Sequence, residues 1–95
     1  MEEQNGQITL SDQQMEIMDE LYFMISFIEL SNLFHFSSAQ LENEINWLLK
    51  NEMIQKFRFK AELNRHLPID DYSWENANEI YFVATKKGLL LHNSR

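Results

Sequence analysis

The sequence predicts an α+β fold, mainly α, in which three helices precede a two-stranded β-hairpin. Three observations carry this. Helix-start signals occur at Ser11, Ser26 and Ser37, each opening an apolar run at helical spacing. After Asn51 the apolar period changes from that of a helix to that of a strand. With two Gly and one Pro in 95 residues, the chain lacks the turn punctuation of an all-β sandwich.

Residues 1–9 are polar and aperiodic, as expected of a tail. Ser11-Asp12-Gln13-Gln14 is a capping box, flanked by Leu10 and Met15 as a hydrophobic staple. The helix it opens runs through Met15, Met18, Leu21, Tyr22 and Ile25. A second box, Ser26-Phe27-Ile28-Glu29, has Ile25 and Leu30 as its staple and opens a short helix from Phe27 to Phe34. His35 is expected to end it in the left-handed conformation. A third box, Ser37-Ser38-Ala39-Gln40, is stapled by Phe36 and Leu41. Helix three runs from Ser38 to Asn51, with Leu41, Ile45, Leu48 and Leu49 inward and Asn51 as the cap.

Gln55-Lys56-Phe57-Arg58-Phe59-Lys60 alternates strictly, as a half-buried strand does. Glu79-Ile80-Tyr81-Phe82-Val83-Ala84-Thr85 is rich in β-branched and aromatic residues and makes the partner strand. Between them lies a long loop, 61–78. Structureless loops of that length are uncommon in compact domains, so Leu67, Ile69, Tyr72 and Trp74 are expected to tether it to the body. Lys86 to His92 forms one or two helical turns. One domain therefore spans 10–92, with tails at 1–9 and 93–95.

Composition narrows the function. The chain is 44% hydrophobic, enough for a core, and has no Cys, which removes disulfides, thiolate metal sites and a Cys nucleophile. Apolar stretches are short and broken by Glu, so no membrane span or membrane partner is expected. Met1-Glu2-Glu3-Gln4-Asn5 has neither the basic nor the apolar region of a secretion signal, and a cytoplasmic location is expected. The net charge of −7 opposes uniform charge-driven binding to a polyanion. That charge is uneven. Residues 1–49 hold nine of the acids and no Lys or Arg, so any contact with a polyanion must use the second half.

The order helix, short helix, helix, hairpin resembles a winged helix-turn-helix. Ser26-Phe27-Ile28-Glu29-Leu30-Ser31 looks like the family's cap and second helix. Leu33-Phe34-His35-Phe36-Ser37 resembles its tight turn, with His35 where the family usually has Gly. Ser37 to Ile54 resembles the recognition helix and its exit, where Glu52 precedes Met53-Ile54 in place of the usual Gly. Val83-Ala84-Thr85-Lys86-Lys87-Gly88 is similar to the strand-to-helix corner of MarR- and PadR-like transcriptional regulators. The long C-terminal dimerisation helix of many relatives has no room here.

The resemblance implies a small DNA-binding transcriptional regulator, with helix three in the major groove of double-stranded DNA. Ser38, Ala39, Gln40, Glu42, Asn43 and Asn46 then face the groove, with Ser38, Gln40, Asn43 and Asn46 at base edges; Gln and Asn read adenine there. Glu42 and Glu44 would meet phosphates and repel them. The same residues read equally as a solvated polar face. In the wing, Lys56, Arg58 and Lys60 share one strand face, with Phe57 and Phe59 toward the core, so the three are candidates for phosphates, joined by Lys86 and Lys87. The competing reading pairs them with Glu79 or with Asp70, Asp71 and Glu75. The alternative function is an acidic protein-interaction winged helix without DNA binding. A continuous positive face would favour DNA, and an isolated wing patch a protein partner.

Helix one carries a second apolar stripe, Ile17, Met24 and Ile28, with Phe23 and Phe27 nearby. A homodimer is expected, with Ile17, Met24, Phe27 and Ile28 as its interface. Burial under helix three and Leu89-Leu90-Leu91 is the other account. No catalytic activity, cofactor or metal is expected. His35, His66 and His92 lack metal spacing, Asp70-Asp71 lacks a calcium-loop pattern, and there is no Gly-rich phosphate loop or Ser-His-Asp motif. Trp47 and Trp74 read as packing residues.

Overall fold

The computed structural model describes residues 9–69 and 74–93. Within them the chain forms α1 (Asp12–Asp19), β1 (Ile25–Ser26), α2 (Phe27–Leu33), α3 (Ser38–Lys50), β2 (Ile54–Lys60), β3 (Arg65–Ile69), a 3-10 turn (Ala77–Glu79), β4 (Ile80–Ala84) and α4 (Lys86–Asn93). The four strands make one antiparallel sheet in the order β1-β4-β2-β3. The fold is thus α+β; α4 fills the helical turns expected over Lys86 to His92, and four strands stand in place of the two expected.

The caps set the helix starts. Ser11 and Ser26 each accept a hydrogen bond from the amide three residues on, and Gln14 and Glu29 return the bond to the cap amide. At Ser37 only half of the expected box forms: its hydroxyl accepts from the Gln40 amide at 3.1 Å. The cap at Ser26 also explains why α1 stops at Asp19 and not at Ile25. An N-cap residue must be extended, and Ser26 has φ −76° and ψ 155°. Residues 25–26 therefore leave the helix and pair as β1 with Tyr81 and Phe82. The Ala84 amide donates to the Leu21 carbonyl at 2.8 Å, which fixes the intervening turn to the sheet.

α2 ends differently from the expectation. Phe34 is extended, with φ −118°, and among the described residues the non-Gly ones with positive φ are Glu52, Asn64 and Asn76, not His35. The extended exit brings Phe34 into a parallel stack with Phe36, ring centroids 5.2 Å apart.

The 61–78 stretch is not a plain loop. Its first part turns through Asn64 and returns as β3, paired to β2 from Lys56↔Ile69 to Lys60↔Arg65. Trp74 packs against Phe27 at 4.8 Å and Phe82 at 5.9 Å between ring centroids, and Leu67 and Ile69 are half-buried. The expected tether is present at Trp74, which packs on the core; Leu67 and Ile69 are held in the β2–β3 ladder, and Tyr72 lies outside the described residues.

The core joins Ile17, Met18 and Leu21 to Leu30, to Leu41, Ile45 and Leu48 of α3, and to Ile80 and Phe82 of β4. α4 docks through a tight corner. The Thr85 hydroxyl donates to the carbonyls of Glu52 and Met53 and accepts from the Gly88 amide at 3.0 Å. A Cβ on Gly88 would lie 2.0 Å from the Met53 carbonyl oxygen, so only Gly fits. At the far end of α4, His92 bonds Asp19 through Nε2 and the Tyr22 hydroxyl through Nδ1, at 2.5 and 2.7 Å.

Candidate functional site

β2 has the expected period but the opposite facing. Ile54, Lys56, Arg58 and Lys60 share the face that opposes Ala84, Phe82 and Ile80 of β4. That is the covered side of the sheet. Lys56 is 1% exposed, with Nζ 5.1 Å from the centroid of the Trp74 ring. It is not presented to a phosphate, and this corrects the wing assignment at that position. Arg58 lies 3.5 Å from the Glu79 carboxylate, and its guanidinium also donates to the Glu75 carbonyl at 3.4 Å. The competing reading, pairing with Glu79, is realised there.

Phe57 and Phe59, expected inward, lie on the other side of the sheet. They face Tyr81, Pro68 and His66, and the His66 ring sits 5.1 Å from Phe59 and 4.4 Å from Tyr81.

Of the basic wing trio only Lys60 is exposed. Its cross-strand partner is Arg65, also exposed. Sequence reading missed Arg65 because the strand that carries it was read as loop. Lys86 and Lys87 are exposed at the start of α4, and Lys87 lies 3.8 Å from Glu52. This pair adjoins the beginning of β2, whereas Lys60 ends it. Between those two ends β2 runs six strand steps, a strand length of about 20 Å.

On α3, Ser38, Ala39, Gln40 and Asn43 are exposed. Glu42 and Asn46 are half-buried, and the Asn46 Oδ1 is buried with no hydrogen-bond partner among the described residues. Glu44 accepts from the Gln14 side chain at 2.9 Å, which ties α3 to α1.

The expected dimer residues divide in two. Ile17 and Phe27 belong to the core, at 0% and 6% exposure, and offer nothing to a second chain. Ile17 is buried because α1 packs against α3 and α4 and places it in the common core. Met24 and Ile28 are exposed, next to Tyr22 and to Phe23, which is 84% exposed. Residues 22–28 thus hold four of the seven exposed large apolar side chains among the described residues, the others being Leu33, Leu63 and Leu90; the turn is held by Ala84 at one end and by His92 and Asn93 at the Tyr22 hydroxyl.

Among the described residues no group of three His, Asp or Glu side chains is placed to hold a metal ion, and no helix is long and apolar enough to cross a membrane. Neither a family model, nor a curated protein, nor a solved structure matches the chain.

Proposed function

We propose that the chain is a small acidic winged-helix module that binds protein and not DNA, and that carries out no reaction. The observation that carries this is the division of its cations. Lys56 is interior, Arg58 lies beside Glu79, and the exposed cations of the described residues fall into two groups, Lys50, Lys86 and Lys87 near the start of β2 and Lys60 and Arg65 at its far end. A duplex-binding face needs several adjacent phosphate contacts to offset a net charge of −7.

The winged-helix reading rests on the three capped helices in order, the β2–β3 hairpin with Lys60 and Arg65 near its tip, and two corners. Glu52 has φ 62°, where the resembled family usually has Gly. Thr85 and Gly88 form the strand-to-helix corner of the resembled motif. The DNA-binding regulator keeps one observation in its favour, the exposed Ser38, Gln40 and Asn43 on α3.

A fluorescence anisotropy titration with a mixed-sequence duplex at about 50 mM and 200 mM salt separates the two. No shift is expected at the lower salt. Saturable binding that weakens steeply at the higher salt, and that is lost when Lys60 and Arg65 become Ala, would reinstate the regulator.

A further inference from the structure

We infer that the segment Tyr22–Ile28 is a docking surface for a basic amphipathic protein segment. This rests on the reading of the chain as a protein-binding module and names the chemistry of its partner. Phe23 is the most exposed large apolar side chain in the described residues, and Met24 and Ile28 of the same segment are exposed as well. Such a residue on a soft loop would be unremarked. Here the loop is fixed. Leu21 accepts from the Ala84 amide at 2.8 Å, and the Tyr22 hydroxyl is held between His92 and Asn93 at 2.7 Å each. The aromatic anchor is therefore presented in advance, at low entropic cost to a partner.

Charge selects the occupant. No Lys or Arg occurs in residues 1–49; exposed Glu16 on α1 and Glu20 at its C-cap precede the segment, and exposed Glu29 follows it on α2. A second copy of the chain would meet this surface across a two-fold axis, apolar on apolar but acid on acid. Residues 1–8 carry Glu2 and Glu3 and no cation, so they have the wrong sign too. Nucleic acid is repelled for the same reason. A helix with an apolar stripe and flanking Lys or Arg matches both features.

The test uses the full chain and a fluorescein-labelled Leu/Lys amphipathic peptide of about 18 residues, five helical turns. Controls are a Leu/Glu peptide of the same pattern and a Lys/Ser peptide of the same charge. Saturable binding to the Leu/Lys peptide is expected, and neither control should bind measurably. Phe23→Ser should weaken binding by about tenfold or more, and Glu16→Lys with Glu20→Lys should do so more strongly at low salt than at high. Met24→Lys gives an independent variant on the same surface. Leu63→Ser, at the exposed β2–β3 turn, should leave binding unchanged.

Absence of binding to the Leu/Lys peptide would overturn the inference, as would binding indifferent to Phe23→Ser or equal binding to Leu/Glu. Sedimentation showing a dimer that Phe23→Ser dissolves would assign the surface to a second copy. A chain that binds neither duplex nor peptide loses this inference alone. One that binds duplex through Lys60 and Arg65 loses the protein-binding reading itself.

Discussion

Lys56 owes its burial to its neighbour two residues back. A strictly alternating strand has two possible facings, and a one-step change exchanges every side chain between core and solvent. Read alone, Lys56-Phe57-Arg58-Phe59-Lys60 turns its aromatics inward. Ile54 has the parity of Lys56, however, and Ile54 is core. The decisive signal therefore sat just outside the alternating window, in a residue read as part of the helix exit. At that site the methylene stem packs as an apolar chain and Nζ lies over the face of Trp74. Brief amine-reactive labelling of the folded protein should thus modify Lys50, Lys60, Lys86 and Lys87 and spare Lys56, while labelling in urea modifies all five; peptide mass spectrometry reads the difference. Lys56 labelled as fast as Lys60 would contradict its burial. Gly88 makes a second prediction at this scale. Its missing Cβ accommodates the Met53 carbonyl, a backbone atom fixed by the Thr85 amide and hydroxyl. Gly88→Ala should cost about 3 kcal/mol in urea unfolding, near the upper end for overpacking, because no side-chain rotamer can relieve the contact.

Among the elements, those defined by local chemistry were legible and those defined by distant partners were not. The starts of α1, α2 and α3 follow from Ser11, Ser26 and Ser37, whose capping bonds span three residues. β1 and β3 exist through ladders to β4 and β2, and neither has an apolar period of its own. β3 even contains Pro68, which belongs on an edge strand and discourages a strand assignment from sequence. The candidate site divided likewise. The exposed polar turn of α3 was legible, whereas Arg65 and the Arg58–Glu79 pair needed the pairing of strands. The α3–β2 turn shows an element held against local preference. Glu52 is left-handed there because Met53 must enter the core directly after the helix, and its amide donates to the Leu48 carbonyl at 2.8 Å. A non-Gly residue in that conformation is strained, and the ion pair of Glu52 with Lys87 is exposed and contributes little. Glu52→Gly should therefore raise stability by about 1 kcal/mol, read as a higher urea midpoint with unchanged slope. A lower midpoint would mean that the carboxylate matters more than the backbone strain. At the other end of α4, His92→Ala removes two hydrogen bonds, to Asp19 and Tyr22, and should lower stability by about 1–2 kcal/mol.

At the scale of the whole molecule, one side chain decides whether the residues after β3 belong to the same cooperative unit as the helices. Trp74 follows the hairpin, yet its ring contacts Phe27 at the start of α2, Phe82 on β4 and the Lys56 ammonium on β2. It therefore links three elements distant in sequence, and the 3-10 turn that follows lies against α2 and β2. If this contact is structural, loss of Trp74 destabilises everything at once. If the segment is an appendage, its loss leaves the helices untouched. Truncating a large aromatic in a core costs about 3–5 kcal/mol, and a half-buried one somewhat less, so Trp74→Ala should cost about 2–3 kcal/mol. That is a large fraction of the stability of a domain this size. The variant should still unfold in one step, with far-UV circular dichroism and the fluorescence of Trp47 on α3 giving the same midpoint. Trp47 is the reporter because it lies in a different element and is retained in the variant. Trp74→Phe should recover more than half of the loss, since a smaller ring still fills the space between Phe27 and Phe82. A Trp74→Ala protein whose Trp47 transition matches the wild type would show that the segment folds onto a domain already complete without it.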